Sequence, residues 1–368
     1  VCIIYALSTS TTIGTENKGL NHMFTFINTS RLGTSVQGFA AAELAYQNAL
    51  WYAKDRLAMR SLTGKKNPDG PADPIIVHPA VRNSLKLTHT HPYSRNSHYK
   101  KVRKMLLTMK AVSEGGRSMV YECAKLADHL QAAELAGDEK EAARIDDKMG
   151  FLTPILKGFL TELGVEAANA GIQVYGGHGY IKSNKQEQVA RDVRIAPVWE
   201  GTTQIQGLDL LGRKVLLQKL KPINEHCKAL RADAWDAITQ GSGKVRSHGI
   251  SLMYHALEWQ YITYKIAAMA MKNKDQVGVA AEDYLMYGGY VNLAHHWLRM
   301  ERAADKALKS NAADKEEDEF YNAKIQTSDF VYEHLLPRTK TLKQTMFSSP
   351  DVLMNMKESS FSFDHSLA

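Results

Sequence analysis

The feature that most constrains this chain is helical periodicity with no proline to interrupt it. From Leu20 to Arg60, the residues Met23, Phe24, Ile27, Leu32, Val36, Phe39, Leu44 and Leu50 recur mostly at three- to five-residue steps. That spacing puts apolar side chains on one face of an α-helix. Lys104 to Leu135 reads as a second helix, ended by a Gly137-Asp138 turn. Phe151 to Ala170 reads as a third, with Leu152, Leu156, Phe159, Leu163 and Ala167 on one stripe and Pro154 in its first turn. Shorter helices are expected at Asn184–Arg194 and Thr202–Leu220. Beyond Lys221 come long amphipathic segments, Gly249–Met271, Ala280–Leu308 and Glu316–Leu342, the last kinked or ended near Pro337. Only 10 prolines occur in 368 residues, which favours an all-α fold over a sandwich or barrel.

The segments between these helices are polar. Ser61 to Pro79 carries two glycines and four prolines and reads as a loop. Residues 83–103 lack a clear period and hold His89, His91 and His98 around Pro92, so an insertion is expected there. An H-x-H spacing with no acidic neighbour is a weak metal signal, and no metal site is expected. Cys2, Cys123 and Cys227 form no C-x-x-C pair, which points to a reducing compartment. No apolar run approaches the ~20 residues of a membrane span. Val1 to Leu7 is too short, and lacks the basic flank, for a signal peptide. The chain begins with valine and is read as a fragment or trimmed product, without a targeting segment. No repeat and no Gly-rich phosphate loop of the P-loop or Rossmann type is found. The tail from Ser349 is polar and expected to be loosely ordered.

The formal net charge is +7 and the pI about 9.0. Such a balance fits nucleic acid, a membrane surface or a phosphorylated ligand. Here the basic residues are interleaved with acidic ones, which favours solvated helix faces. An anionic cofactor or substrate is the second reading and nucleic acid the third.

Two segments carry chemistry. Gly171 to Tyr180, reading G-I-Q-V-Y-G-G-H-G-Y, is a helix end that runs into glycines. Glycine backbone lets N–H groups approach a ligand closely, although a simple C-cap and turn has the same composition. Arg191 to Gln206 reads R-D-V-R-I-A-P-V-W-E-G-T-T-Q-I-Q and places Glu200-Gly201-Thr202-Thr203 where a loop becomes a helix. The bland role of Glu200 is a charge that stabilises the helix start. The sharper role is a base aimed into a cleft, with Trp199 helping to desolvate the carboxylate.

Together these segments resemble the acyl-CoA dehydrogenase family. Gln173 to Gly177, the Arg191-Asp192-x-Arg194-Ile195 run and Glu200-Gly201-Thr202-x-Gln204-Ile205-Gln206 follow the family pattern in order and spacing. The chain departs from it at Trp199, where tyrosine is usual, and at His178, where asparagine is common. The resemblance covers about 13–220 and implies the family's C-terminal helical domain. Residues 221–348 resemble a C-terminal helical extension found in the larger subgroup that includes 3-(methylthio)propanoyl-CoA dehydrogenases. Asp283-Tyr284-Leu285-Met286-Tyr287-Gly288-Gly289 and Ala294-His295-His296-Trp297 carry that second likeness, although helix packing explains the last three equally well. The family's N-terminal helical and β-domains are expected to be absent from this chain.

The resemblance implies FAD-dependent α,β-dehydrogenation of an acyl-CoA thioester, with 3-(methylthio)propanoyl-CoA as one substrate. Electron-transfer flavoprotein is the implied acceptor, and a homodimer or homotetramer the implied assembly. Glu200 is the implied base. Gly201 lies beside the thioester, and Arg31 near the acyl-CoA. By the same resemblance, Thr202 and Gln204 are expected to contact FAD, and Gln173, Gly176, Gly177 and Arg56 to reach the FAD of a neighbouring subunit. The family threonine two residues after Arg56 is Ala58 here, so one of the flavin hydrogen bonds that the resemblance implies is not expected. Some relatives carry the base just before the arginine matched by Arg31; that position is Ser30 here, which favours Glu200. Two alternatives stay open: an acyl-CoA oxidase, and a non-catalytic nucleic-acid-binding relative, which the mixed charges and Glu200 disfavour. The compartment implied is cytoplasm in a bacterium or the mitochondrial matrix in a eukaryote.

Overall fold

Nearly every periodic segment is a helix in the computed structural model, which describes residues 15–61, 64–77, 99–310 and 315–361. The order is α1 (Gly19–Asp55), α2 (Tyr99–Leu135), α3 (Glu139–Tyr175), α4 (Gly177–Tyr180), α5 (Gln186–Arg194), α6 (Thr203–Leu208), α7 (Lys221–Gln240), α8 (Gly243–Lys272), α9 (Asp275–Lys309), α10 (Lys315–Phe330), α11 (Thr339–Thr345) and α12 (Asp351–Met354). Among the described residues the β pairing is one isolated bridge, Leu57 to Pro74. The fold is therefore all-α. His89, His91, His98 and most of the expected 83–103 insertion lie outside the described residues; α2 begins at Tyr99.

Two helices differ from the sequence reading, and a third breaks where it was expected to. Pro154 lies inside α3, whose first turn is a dozen residues earlier. The start is set by Asp138, whose carboxylate accepts from the Glu141 backbone N–H at 3.0 Å. A proline inside a helix costs about 3 kcal/mol. Burial of Phe151, Ile155, Leu156, Phe159 and Leu160 on the same turns offsets it. Helix α7 has no counterpart in that reading. Its signal was present: Ile223, Cys227, Leu230, Ala234 and Ala237 step by four and three and are all buried, with Pro222 in the first turn. After α10 the backbone passes through a π-helical turn (Val331–Leu335) and a 3-10 turn (Leu336–Arg338). Pro337 lacks the N–H that an α-helix needs there, so the expected break falls at this point.

Helices α1 and α3 run parallel, with α2 returning between them. Thr153 meets Asn28 near one end, donating at 3.0 Å, and Tyr52 stacks on Tyr175 near the other at 4.1 Å. They touch at Gly38 and Gly164. A Cβ at Gly38 would fall 2.2 Å from the Leu160 carbonyl oxygen, so only glycine permits this crossing. Helix α9 is buried almost throughout Tyr284 to Leu298 and joins the later helices to α2 and α3. Trp297 Nε1 donates to the Ala111 carbonyl at 3.0 Å, and Ser118 Oγ lies 2.8 Å from His296 Nδ1. His295, His296 and Trp297 thus serve helix packing. Farther along, His248 lies 2.8 Å from Glu301 and 3.7 Å from Asp329, linking α8, α9 and α10.

The loop after α1 is organised by one carboxylate. Buried Asp73 accepts backbone N–H groups from Ser61, Lys66 and Asn67 at 2.7, 2.9 and 2.8 Å. These bonds, that from Ser61 foremost, hold its carboxyl well below the usual range.

Candidate active site

Glu200 and Gly201 form a turn with φ of 52° and 91° between α5 and α6. The left-handed conformation is unfavourable for a glutamate, so its surroundings must hold it there. Two side chains clamp the turn from below. Lys157, on α3, donates to the Gly201 carbonyl at 2.5 Å. Gln206 Nε2 donates to the Glu200 carbonyl at 2.9 Å. Both side chains are fully buried. Burial pushes the Lys157 ammonium down to about 8, an effect that the nearby Glu200 charge partly opposes.

The carboxylate itself is held from α1. Ser30 Oγ donates to Oε1 at 2.6 Å, and Thr34 Oγ1 donates to Oε2. Ser30 and Thr34 are four residues apart, so one helix face presents both hydroxyls. Beneath them, Arg31 is buried and pairs with buried Asp209 at 2.5 Å. Asp209 also takes Arg213 Nε at 2.6 Å. It opens a π-helical turn, Asp209–Leu216, that continues α6. Trp199, expected to desolvate the carboxylate, is itself 43% exposed, and Glu200 is exposed beside it.

The remaining expected residues fall into two groups. Thr202 caps α6, its hydroxyl accepting weakly from Ile205 N–H at 3.4 Å, and is exposed next to Glu200. Gln204 turns the other way and donates to the Gly278 carbonyl of α9 at 2.8 Å. Arg56, Gln173, Gly176 and Gly177 are exposed at the far end of the α1–α3 pair. Gly176 ends α3 with φ of 62°. A Cβ on Gly176 or Gly177 would meet nothing within 4 Å. From the Thr34 turn to Tyr52 is 18 residues of α1, about 27 Å. The two groups therefore cannot surround one reacting atom within a single chain.

Lys157 and Gln206 went unnoticed in the sequence. Gln206 sits in the quoted motif, but Lys157 had only one signal, a lysine amid the apolar run of α3. A cavity of about 1030 Å³ lies elsewhere, between α2, α3, α7 and α9. Phe151, Leu156, His226, Asn292, His295 and His296 are among its lining residues, and none of the expected site residues is. Burial pushes His226 down to about 3, so this imidazole is neutral at physiological pH.

The sequence comparisons connect this turn and helix pair to the acyl-CoA dehydrogenases. The chain belongs to that family: residues 76–216 match the acyl-CoA dehydrogenase C-terminal domain, and 220–357 the acetyl-CoA dehydrogenase C-terminal-like domain. It is similar to 3-methylmercaptopropionyl-CoA dehydrogenase of Ruegeria pomeroyi, with 33% identity over 90% of this chain and 51% of that protein. It is also similar to the broad-specificity linear acyl-CoA dehydrogenase FadE5 of Mycobacterium tuberculosis, with 26% identity over 95% of this chain and 54% of that one. The chain thus spans about half the length of these relatives. Among solved structures, an acyl-CoA dehydrogenase of Bacillus anthracis complexed with FAD superposes with a TM-score of 0.66 over 92% of this chain and 52% of that one, at 17% identity. ACDH-11 of Caenorhabditis elegans, in complex with C11-CoA, gives 0.60 over 92% and 50%, also at 17%. These two show the shared fold. No helix among the described residues is long and apolar enough to cross a membrane.

Proposed function

We propose that this chain supplies the proton-abstracting part of an FAD-dependent acyl-CoA dehydrogenase, with Glu200 as the base. The observation that carries this reading is the hold on Glu200. A strained turn is clamped through its carbonyls by two buried side chains, and two hydroxyls orient the carboxylate. A helix-end charge needs none of these. A carboxylate has about four lone-pair sites. Ser30 and Thr34 take two, which leaves the others for the α-proton of a thioester lying beside Gly201. Holding the oxygen in place before the substrate arrives removes orientational entropy from the proton transfer. Arg31, expected near the acyl-CoA, sits one layer deeper and positions the Ser30–Thr34 turn through Asp209.

FAD, when bound, supplies the acceptor for the hydride that leaves Cβ. The chain's residues fit it in two places. Exposed Thr202, next in the turn after Gly201, would offer its hydroxyl to the flavin. Open glycine backbone at Gly176 and Gly177, with Gln173 and exposed Arg56, fits the phosphate and adenosine side of a cofactor held mainly by another subunit. Gln204 fits less well, because one of its two amide N–H groups is bonded to Gly278, which holds the side chain toward α9. The substrate class is acyl-CoA; the similarity to the Ruegeria enzyme favours 3-(methylthio)propanoyl-CoA within it. Electron-transfer flavoprotein is the proposed acceptor, and acyl-CoA-dependent oxygen uptake without an added acceptor would reassign the protein as an oxidase.

The deciding experiment is Glu200→Gln in the flavin-loaded protein. Glutamine keeps the size and the hydroxyl contacts but accepts no proton. Flavin bleaching by acyl-CoA should slow by at least ~10²–10⁴. Bleaching at the wild-type rate, with only a stability loss of about 0.3–1 kcal/mol, would return Glu200 to a helix-end charge.

A further inference from the structure

Helices α8, α9 and α10 meet around a buried acid. Glu301 of α9 has a side chain with no exposed surface, and His248 of α8 stands against it, with Nδ1 2.8 Å from Oε2. Asp329 of α10 completes the group: its Oδ1 lies 3.7 Å from the other ring nitrogen, Nε2. The three residues each offer a ligand-type atom within 4.8 Å of those of the other two. Their positions are fixed by neighbours. The imidazole stacks on Tyr332 at 4.0 Å, with 7° between the rings. Ser328 Oγ donates to Glu301 Oε2 at 2.7 Å, and the exposed Lys244 donates to Asp329 Oδ2.

These contacts leave two oxygens over. Glu301 Oε1 and Asp329 Oδ1 are buried and have no hydrogen-bond partner among the described residues. A buried carboxylate oxygen without a partner is costly. A proton on His248 does not remove that cost. On Nδ1 it serves Glu301 Oε2 alone, and on Nε2 it stands too far from Asp329 Oδ1 for an N–H···O bond. A cation in the place of the Nδ1 proton reaches all of them. Donors 2.8 Å apart, as Nδ1 and Oε2 are, subtend roughly a right angle at an ion about 2.0–2.2 Å from each. Glu301 can chelate through both oxygens, while Asp329 Oδ1 closes in from the other side. Donors on opposite sides of one ion stand up to about 4.2 Å apart, so a pair at 4.8 Å has less than about one ångström to close.

We propose that His248, Glu301 and Asp329 bind one divalent transition ion, zinc foremost, which staples α8 and α10 to α9. The donor set selects the class of ion. Imidazole suits zinc, whereas magnesium and calcium take oxygen ligands throughout. The two carboxylates offset the charge of the ion, and Ser328 is the outer partner that orients the ligating Glu301. His248 lies 53 residues from Glu301, and each ligand comes from a different helix, so no metal-binding spacing shows in the sequence. None of the three belongs to the Glu200 turn or to the Gly176 end, so the site is separate from the proposed dehydrogenation.

The test is zinc binding by the full chain after chelator treatment and dialysis. Calorimetric titration with zinc chloride should show one strong site per chain, with a Kd at or below ~10 μM. Excess magnesium should not compete for it. Asp329→Asn removes one ligand and should weaken that site at least ~10-fold, with the helical circular dichroism unchanged. X-ray absorption at the zinc edge should show one imidazole among oxygen ligands, and no sulfur. That measurement is made on the wild-type chain, so it decides alone where Asp329→Asn fails to fold. Binding weaker than the stated Kd would overturn the proposal. So would an affinity unchanged by Asp329→Asn, or a shell with two or more imidazoles, which would put the ion on histidines elsewhere.

Discussion

At one end of the α1–α3 pair a carboxylate is gripped by hydroxyls while its turn is clamped by buried side chains; about 27 Å away, at the other end, glycine backbone stands open with nothing near it. The Glu200 end is finished within one chain. Ser30, Thr34, Lys157 and Gln206 come from three segments, and each spends its hydrogen bond on the turn or its carboxylate. The Gly176 end is held from behind, by the stacked Tyr52 and Tyr175 and by the contact of Tyr52 with His178 at 3.3 Å. The contrast fits the proposed division of labour, in which a base is preorganised within one chain and the surface proposed for a cofactor held by another subunit is left open. Four substitutions can break or sharpen that distinction.

The largest effect should come from Arg31→Met. The Arg31–Asp209 pair is almost fully buried, and removing one partner strands the other. Arg213 remains beside Asp209, so the loss should be near the lower end of the usual range, about 3 kcal/mol by urea denaturation. A loss under about 1 kcal/mol would mean that the site end does not depend on this pair.

Lys157→Met should cost the flavin-loaded protein ~10²-fold in kcat with little change in KM, because the base would be misplaced rather than removed. Its pH signature is independent of activity. The folded-state ammonium is pushed down to about 8, against 10.5 ordinarily. Between those values the unfolded chain holds the extra proton, so wild-type stability should rise with pH relative to the variant. Below about 8 both states are protonated and the difference should be flat. A flat difference across the whole range would show that Lys157 is not desolvated.

The open end should respond more weakly. Gly176→Ala has room for its methyl but not the backbone angles, and should cost about 1–3 kcal/mol. Gly177→Ala has room and ordinary angles, so its stability change should stay within about 0.5 kcal/mol. If the glycines admit a pyrophosphate, Gly177→Ala should nonetheless weaken FAD retention. Unchanged retention would make this end a plain helix stop.

Much of the architecture was legible because helix formation follows local periodicity. Helices α1, α8, α9 and α10 lie close to where apolar spacing places them, and the break before Pro337 follows from a missing N–H. Helix α3 was misread because Pro154 looks like a start signal, whereas tertiary burial carries the helix through it. Helix α7 was missed because alanine and cysteine fill three of the five positions of its apolar stripe and give a faint pattern.

What the sequence determined by itself was the all-helical fold and, through a short motif, the family and the position of Glu200. Both are recorded in contiguous residues, where spacing alone carries the signal. What only the tertiary structure decided was the hold on that glutamate. Ser30 lies 170 residues from Glu200, and Lys157 44 residues from Gly201. A hydrogen bond across such a separation leaves no periodic trace, because a buried lysine or an ordinary serine has the same letter wherever it points. The fold brings them together because Gly38 and Gly164 let two helices approach closely enough for α1 and α3 to close on one turn.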